Sequence, residues 1–154
     1  MKNILLLTLL AIGSLGLAQQ TPQEKMLALK KQIVGEYTVR DSVVVHTENL
    51  ETGDTSENTD TDEYEVKLTV QGKTAVYEYD GFTYKLELAL KNGEVIVSSI
   101  VVDDDKYVID FEHQVEGCNI LTSGTFLLCH KSSVTSTWRK RKSDYEVFAK
   151  FVKK

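Results

Sequence analysis

Residues 64–70 read YEVKLTV and residues 82–90 read FTYKLELAL, and in both segments apolar side chains occupy every second position. The positions between them carry mostly charged or polar residues, such as Glu65, Lys67 and Glu87. A period of two places alternate side chains on opposite faces of a β-strand. Each strand is therefore predicted to be buried on one face and wet on the other, which is typical of antiparallel sheets.

The same alternation returns in residues 107–111 and 145–151, and the connections between strands are short. Turn residues are found at positions 71–73, 80–81, 91–93, 103–106 and 141–143. Such short connections leave no room for the helical crossovers that a parallel sheet requires. We therefore predict a mainly β fold: an antiparallel up-and-down β-barrel of about 8–10 strands, with a β-sandwich as the alternative. The charged second face argues against a barrel that spans a membrane.

One α-helix is predicted at the start of the domain. Thr21, Pro22 and Glu24 provide an N-cap, a proline at the first helical position and the acidic partner of a capping box. An apolar stripe follows at spacings of three and four residues, formed by Met26, Leu29 and Ile33. The helix is predicted to end near Gly35.

Residues 1–18 have the pattern of a secretory signal peptide. Lys2 supplies a positive charge, residues 4–17 are almost entirely apolar, and small residues precede a cleavage site after Ala18. The rest, residues 19–154, has the length of one domain. It contains no second apolar segment long enough for a transmembrane helix. We predict a secreted or periplasmic protein with a single barrel domain.

Cys118 and Cys129 are the only two cysteines, and in an oxidising compartment an isolated pair predicts a disulfide. Two thiols are too few for a zinc site, so no metal site is predicted. A two-residue hairpin turn at Ser123–Gly124 would place the two cysteines directly opposite each other on paired strands. Alternatively, Gly124 marks a bend and the disulfide joins less regular segments.

Charge is distributed unevenly along the chain. Residues 130–154 hold eight lysines and arginines against two acids, although the whole chain has a net charge of −5. The densest basic cluster is Arg139 to Lys142. It could meet lipid headgroups, a polyanion or an acidic protein. The sequence favours a solvated hairpin turn instead, because the run is short and contains no aromatic residues, and no nucleic-acid partner is predicted.

The helix followed by Gly35-Glu36-Tyr37 at the start of the first long strand resembles the beginning of calycin barrels. Lipocalin-like and fatty-acid-binding-like proteins carry a Gly-x-Trp pattern there, at the closed end of the barrel. Tyr37 stands in place of the tryptophan, and Arg139 or Lys150 would be the basic residue that packs over it. The resemblance is to small secreted bacterial lipocalin-like proteins, and it covers most of the chain in architecture. It implies that a small, largely apolar molecule is carried or sensed inside the barrel.

The inward-facing aromatic residues would then either line a pocket or fill the barrel as core. The predicted ligand-binding set consists of Tyr37, Asp41, Tyr64, Tyr84, Tyr107, Phe111, His113 and Trp138. Trp138 shares a face with Val134 and could stack on a ligand, although a core position in its strand is favoured.

Two polar members of this set have competing interpretations. Asp41 lies on the apolar face of its strand, where an unpaired carboxylate is costly, so it could orient a ligand's polar end. The pattern favours a β-bulge at Asp41–Ser42 that turns the carboxylate outward. His113 could be a pocket histidine, but an imidazole at a strand end, bonded to backbone or water, is favoured.

Residues 49–63 are predicted to form a long polar loop over one mouth of the barrel. Their alternating carboxylates suggest Ca²⁺, but an EF-hand register starting at Asn58 puts Glu63 where glycine is needed. No nucleophile motif is present, and catalysis would require Asp41 and His113 to converge. We therefore predict no enzyme activity and no cofactor.

Taken together, these patterns predict a non-enzymatic binding protein for a small hydrophobic ligand. The alternative is a protein–protein interaction or inhibitor module of the cell envelope, which would use the outer face of the barrel and the basic C-terminal hairpin.

Overall fold

The computed structural model describes residues 19–103, 105–108, 117–122 and 124–154, without the side chains of residues 106–108. The predicted signal peptide, residues 1–18, lies outside these ranges. The described chain consists of one helix and eight strands. They are α1 (Pro22–Ile33), β1 (Gly35–Asn49), β2 (Thr55–Gln71), β3 (Thr74–Tyr79), β4 (Phe82–Lys91), β5 (Glu94–Val102), β6 (Asp105–Val108), β7 (Thr125–Ser136) and β8 (Arg141–Lys153).

The strands form one antiparallel sheet in the order β6-β5-β4-β3-β2-β1-β8-β7. Most neighbours in this order are also neighbours in sequence, and β1 pairs with both β2 and β8. The sheet curls into a nearly closed barrel, so the predicted up-and-down barrel is confirmed. The described strands contain no second sheet of the kind that a sandwich requires.

The predicted helix and its capping box are confirmed. The Thr21 hydroxyl accepts a hydrogen bond from the Glu24 amide at 3.2 Å, and the Glu24 carboxylate accepts one from the Thr21 amide at 2.8 Å. These two bonds satisfy amides that the helix itself leaves without partners. Ile33 at the end of α1 is buried in the core, and Met26 and Leu29 pack against it. The apolar stripe therefore fixes α1 on one end of the barrel.

Three aromatic rings, those of Tyr37, Phe126 and Phe151, pack together at this end of the barrel, and we call them the ring cluster. Phe126 and Phe151 stack with their centroids 4.7 Å apart, and Tyr37 meets both rings edge-on. The Tyr37 hydroxyl donates a hydrogen bond of 2.7 Å to the carbonyl of Ile33, one of the carbonyls that the helix end leaves open. The first long strand is thus bonded to the helix that precedes it, and this end is closed.

Residues 117–122 complete the wall between β5 and β7. The Val97 amide donates to the carbonyl of Asn119 at 2.8 Å, and the Asn119 amide donates to the carbonyl of Leu127 at 2.7 Å. The buried Asn119 side chain also bonds the backbone of Cys129 twice, at 2.8 and 2.9 Å. We call this group, Cys118, Asn119, Leu127 and Cys129, the seam.

Cys118 and Cys129 form the predicted disulfide, with their Cα atoms 5.7 Å apart. The favoured hairpin pairing is wrong, because Cys118 makes a parallel bridge with Leu127 instead of pairing with Cys129 across a tight turn. Asn119 and Leu121 form backbone hydrogen bonds with Val97 and Val95 of β5. Residues 119–121 therefore pair with β5 and do not form a simple hairpin with β7. The alternative of a bend near Gly124 is the one the structure supports.

Two further predictions about connections are wrong. Residues 55–63 are not a loop but the first part of β2, paired with β1 along its full length, and only residues 50–54 form the turn. The last hairpin turns at residues 137–140 rather than 141–143. Polar residues occupy both faces here because β1, β2, β7 and β8 extend together beyond the packed core, where neither face is fully buried.

Candidate functional site

A cavity of about 280 Å³ lies beyond the ring cluster, on the side away from α1. Side chains from seven of the strands line it, and most of them are apolar. The lining residues are Asp41, Val43, Tyr64, Tyr77, Tyr84, Ile100, Val102, Leu128, Cys129, His130, Val147 and Ala149. The barrel is therefore solid at the helix end and hollow beyond it.

Asp41 is the acidic residue among the lining side chains. Regular pairing places it opposite Asp62 on β2 and Ala149 on β8, so the predicted β-bulge is wrong and its side chain stays on the inner face. Its carboxylate accepts a hydrogen bond from the Asp62 amide at 3.1 Å and interacts with the Tyr64 hydroxyl. Burial raises the pKa of Asp41, and these two hydrogen bonds oppose the rise.

Four tyrosines form two stacked pairs around this carboxylate. The rings of Tyr64 and Tyr79 stack at 3.6 Å between centroids, and those of Tyr77 and Tyr84 at 4.7 Å. The Tyr79 hydroxyl donates a hydrogen bond to the Asp62 carboxylate, which raises the pKa of Tyr79 to about 12. Burial raises the pKa of Tyr64 and Tyr77 as well, so all of these phenols are neutral at physiological pH.

His130 on β7 is a lining residue that the sequence analysis missed. It is half-buried, and burial lowers the pKa of its imidazole because a charged ring is poorly solvated there. Phe126, Leu128 and His130 alternate along β7, and this alternation is the signal that could have placed the histidine inside the barrel. Its backbone partner on β8 is Val147, another lining residue.

Because burial lowers the pKa of His130, the free energy of unfolding should depend on pH. As the pH falls below about 6.5, the unfolded chain takes up a proton at this histidine that the folded chain resists. We therefore expect the free energy of unfolding of the wild type to fall with acidification, and to fall less in His130→Gln. Urea unfolding at several pH values between 8 and 5 would measure this. Equal slopes in wild type and His130→Gln would contradict the prediction.

The structure brings together only part of the predicted ligand-binding set. Asp41, Tyr64 and Tyr84 line the cavity, whereas Tyr37 is fully buried in the ring cluster. Trp138 is neither a core residue nor a lining residue, because it lies in the turn between β7 and β8 and is 77% exposed. Tyr107 lies in β6 without a described side chain, and Phe111 and His113 lie outside the described residues.

The tip of the β7–β8 hairpin has its own cluster of contacts. Arg139 lies over the Trp138 ring at 4.2 Å, and Lys140 pairs with Glu51 in the neighbouring turn. The Lys140 carbonyl accepts a hydrogen bond of 2.8 Å from Leu50, which is also exposed. Two adjacent turns thus present apolar and basic side chains together.

Within the described part of the chain, no three histidine, cysteine, aspartate or glutamate side chains converge as metal ligands would. The described helix is too short and too polar to cross a membrane. No known protein-family model matches the chain, and no curated protein matches its sequence.

Proposed function

We propose that this protein is a secreted, non-enzymatic binding protein that holds one small, largely apolar molecule in the cavity of its barrel. The observation that carries the proposal is the cavity of about 280 Å³, with its lining of aliphatic and tyrosine side chains and few polar groups. Ligand sites in proteins are typically concave and apolar, with a small number of placed polar groups.

The volume limits the size of the ligand. An engineered apolar cavity of about 150 Å³ binds benzene. A cavity of about 280 Å³ therefore has room for a molecule nearly twice as large, such as a substituted ring or a short chain. Long-chain lipids would not fit entirely inside.

Two further features support the proposal. The apolar segment at residues 4–17 and the disulfide fit a protein that works in an oxidising compartment. The lipocalin-like resemblance, with a helix leading into Gly35 and Tyr37 at the closed end, fits a barrel that carries ligands.

Filling the cavity should abolish binding. Ala149 is buried on β8 and lines the cavity, so in Ala149→Phe we expect the added ring to occupy the ligand's space. Native mass spectrometry of protein purified from its source should show one small-molecule adduct on the wild type and none on this variant. The control Val152→Phe alters the same strand, but at a residue that is 39% exposed and outside the cavity lining, and it should keep the adduct. A wild type without any adduct, or an adduct that persists in Ala149→Phe, would argue against the proposal.

A second candidate function is a protein–protein interaction module that uses the hairpin tip. The exposed Trp138, with Arg139 against its ring, favours it, because tryptophan and arginine are enriched where proteins bind each other. A folded protein that binds no small molecule would favour this second function.

A further inference from the structure

We propose that the polar end of the bound molecule is a protonated amine, held by the Asp41 carboxylate with the tyrosine rings around it. This inference rests on the proposed function and names the chemical class of its ligand: an organic ammonium with an apolar body. The contacts that support it surround Asp41.

Two carboxylates face each other across β1 and β2. Asp41 and Asp62 are direct partners in the strand register, and Asp60 lies two residues farther along the same face, opposite Val43. Like charges in directly opposite positions destabilise a sheet. The hydrogen bonds that these two carboxylates accept come from the Asp62 and Glu63 amides and from tyrosine hydroxyls, which are neutral donors. These bonds offset the repulsion without cancelling the charge.

The described lining of the cavity supplies no lysine or arginine charge to compensate these carboxylates. Arg40, next to Asp41 in sequence, faces the other side of the sheet and pairs there with Glu63. His130 is the basic lining residue, and burial lowers its pKa, which favours the neutral imidazole. Asp80 and Asp103 add further negative charge near Tyr84.

The tyrosines complete a site suited to a cation. Tyr64, Tyr77 and Tyr84 all line the cavity, and aromatic rings attract ammonium groups through their negative faces. Tyr77 is only 5% exposed, and burial raises the pKa of its phenol, with the nearby charge of Asp41 adding to the rise. Tyr77 lines the same cavity as Asp41, so its phenol oxygen can accept a hydrogen bond from the ammonium group.

The remaining lining determines the body of the ligand. Ile100, Val102, Leu128 and Val147 present aliphatic surface to the same cavity. A molecule with one ammonium group and one ring or short chain therefore matches both the charge and the volume of the cavity. A carboxylate of the same shape would meet Asp41, Asp62 and Asp60 and be repelled.

Three probes with the same phenylethyl body test the charge preference. Isothermal titration calorimetry at neutral pH and low salt would compare 2-phenylethylamine, 2-phenylethanol and 3-phenylpropanoate. We expect the amine to bind about tenfold or more tightly than the alcohol, and the acid most weakly. In Asp41→Asn the amine should fall to the level of the alcohol, while the affinity for the alcohol stays within about threefold of wild type.

Two controls separate binding from folding. Glu63→Gln removes a carboxylate from the outer face of the same hairpin, and it should keep the preference for the amine. Asp41→Asn relieves the repulsion with Asp62, so its thermal midpoint should equal or exceed that of the wild type, and lost binding could not then be attributed to unfolding.

The outcomes distinguish a failure of the amine inference from a failure of the proposed binding function. If the alcohol binds and Ala149→Phe abolishes its binding, but the amine has no advantage or Asp41→Asn leaves that advantage intact, the amine inference is overturned and the binding function stands. If none of the three probes binds the folded protein but the wild type carries an adduct that Ala149→Phe abolishes, the amine inference is overturned and the binding function stands. If that adduct is missing too, both are contradicted.

Discussion

Replacing Phe151 with alanine is expected to lower the free energy of unfolding by about 3–5 kcal/mol. The side chain is fully buried, and its ring contacts three others: Phe126 stacked at 4.7 Å, and Tyr77 and Tyr37 edge-on at 5.5 and 6.1 Å. These rings come from β1, β3 and β7, so a cavity left by the phenyl group would be shared by several strands and could not collapse easily. Small domains have total stabilities of about 5–15 kcal/mol, so this one substitution removes a large share.

Urea unfolding followed by circular dichroism would measure the effect. Phe148 lies three residues earlier on β8, and it is only partly buried on the opposite face. The matched variant Phe148→Ala should therefore cost clearly less. Phe151→Leu, which keeps most of the volume, provides a measurable variant if Phe151→Ala does not fold. Equal losses for Phe148→Ala and Phe151→Ala would show that the ring cluster is not the main core.

The second large effect is expected at the seam. A disulfide closing a loop as short as the 11-residue separation of Cys118 and Cys129 contributes about 3 kcal/mol by restricting the unfolded chain. Cys118→Ser with Cys129→Ser should therefore lower the free energy of unfolding by about that amount. The hydrogen bonds of Asn119 would remain, so we expect a weakened barrel rather than an unfolded chain.

Reduction provides the control for this pair. Dithiothreitol should bring the urea midpoint of the wild type down to that of the double serine variant and leave the variant unchanged. A wild type that keeps its midpoint when fully reduced, as judged by thiol labelling, would show that the disulfide contributes little.

The fold was largely predictable because its signals are local. The strands at residues 64–70 and 82–90 could be predicted from their own alternation, because one face of each is buried. The start of the helix could be predicted from the capping box at Thr21, which involves only neighbouring residues. The first part of β2 was not predictable in this way. Residues 55–63 are exposed on both faces, so they show no alternation, and only their pairing with β1 makes them a strand.

The site was predictable only in part, because burial on a face does not say what fills the space. The alternation placed Asp41, Tyr64 and Tyr84 on the inner face, and all three line the cavity. It placed Tyr37 on the inner face as well, but Tyr37 packs in the ring cluster as part of the core. Trp138 continues the alternation of Val134 and Ser136, which predicted that it shares their face of the strand. However, β7 ends at Ser136, so the tryptophan lies in the turn. The volume between the faces depends on barrel closure, and closure depends on the pairing of Asn119 with β5 and β7.

The pairing of β1 with both β2 and β8 has a consequence for how the chain reaches this state. The outer edge of the first strand has no neighbour until the final strand, about a hundred residues later, has been made. Contacts between such distant parts of a sequence form slowly, because a long loop must close before they stabilise anything. The last strand is also the sheet neighbour of β7, so a nascent chain that lacks it leaves two strands with open edges at once.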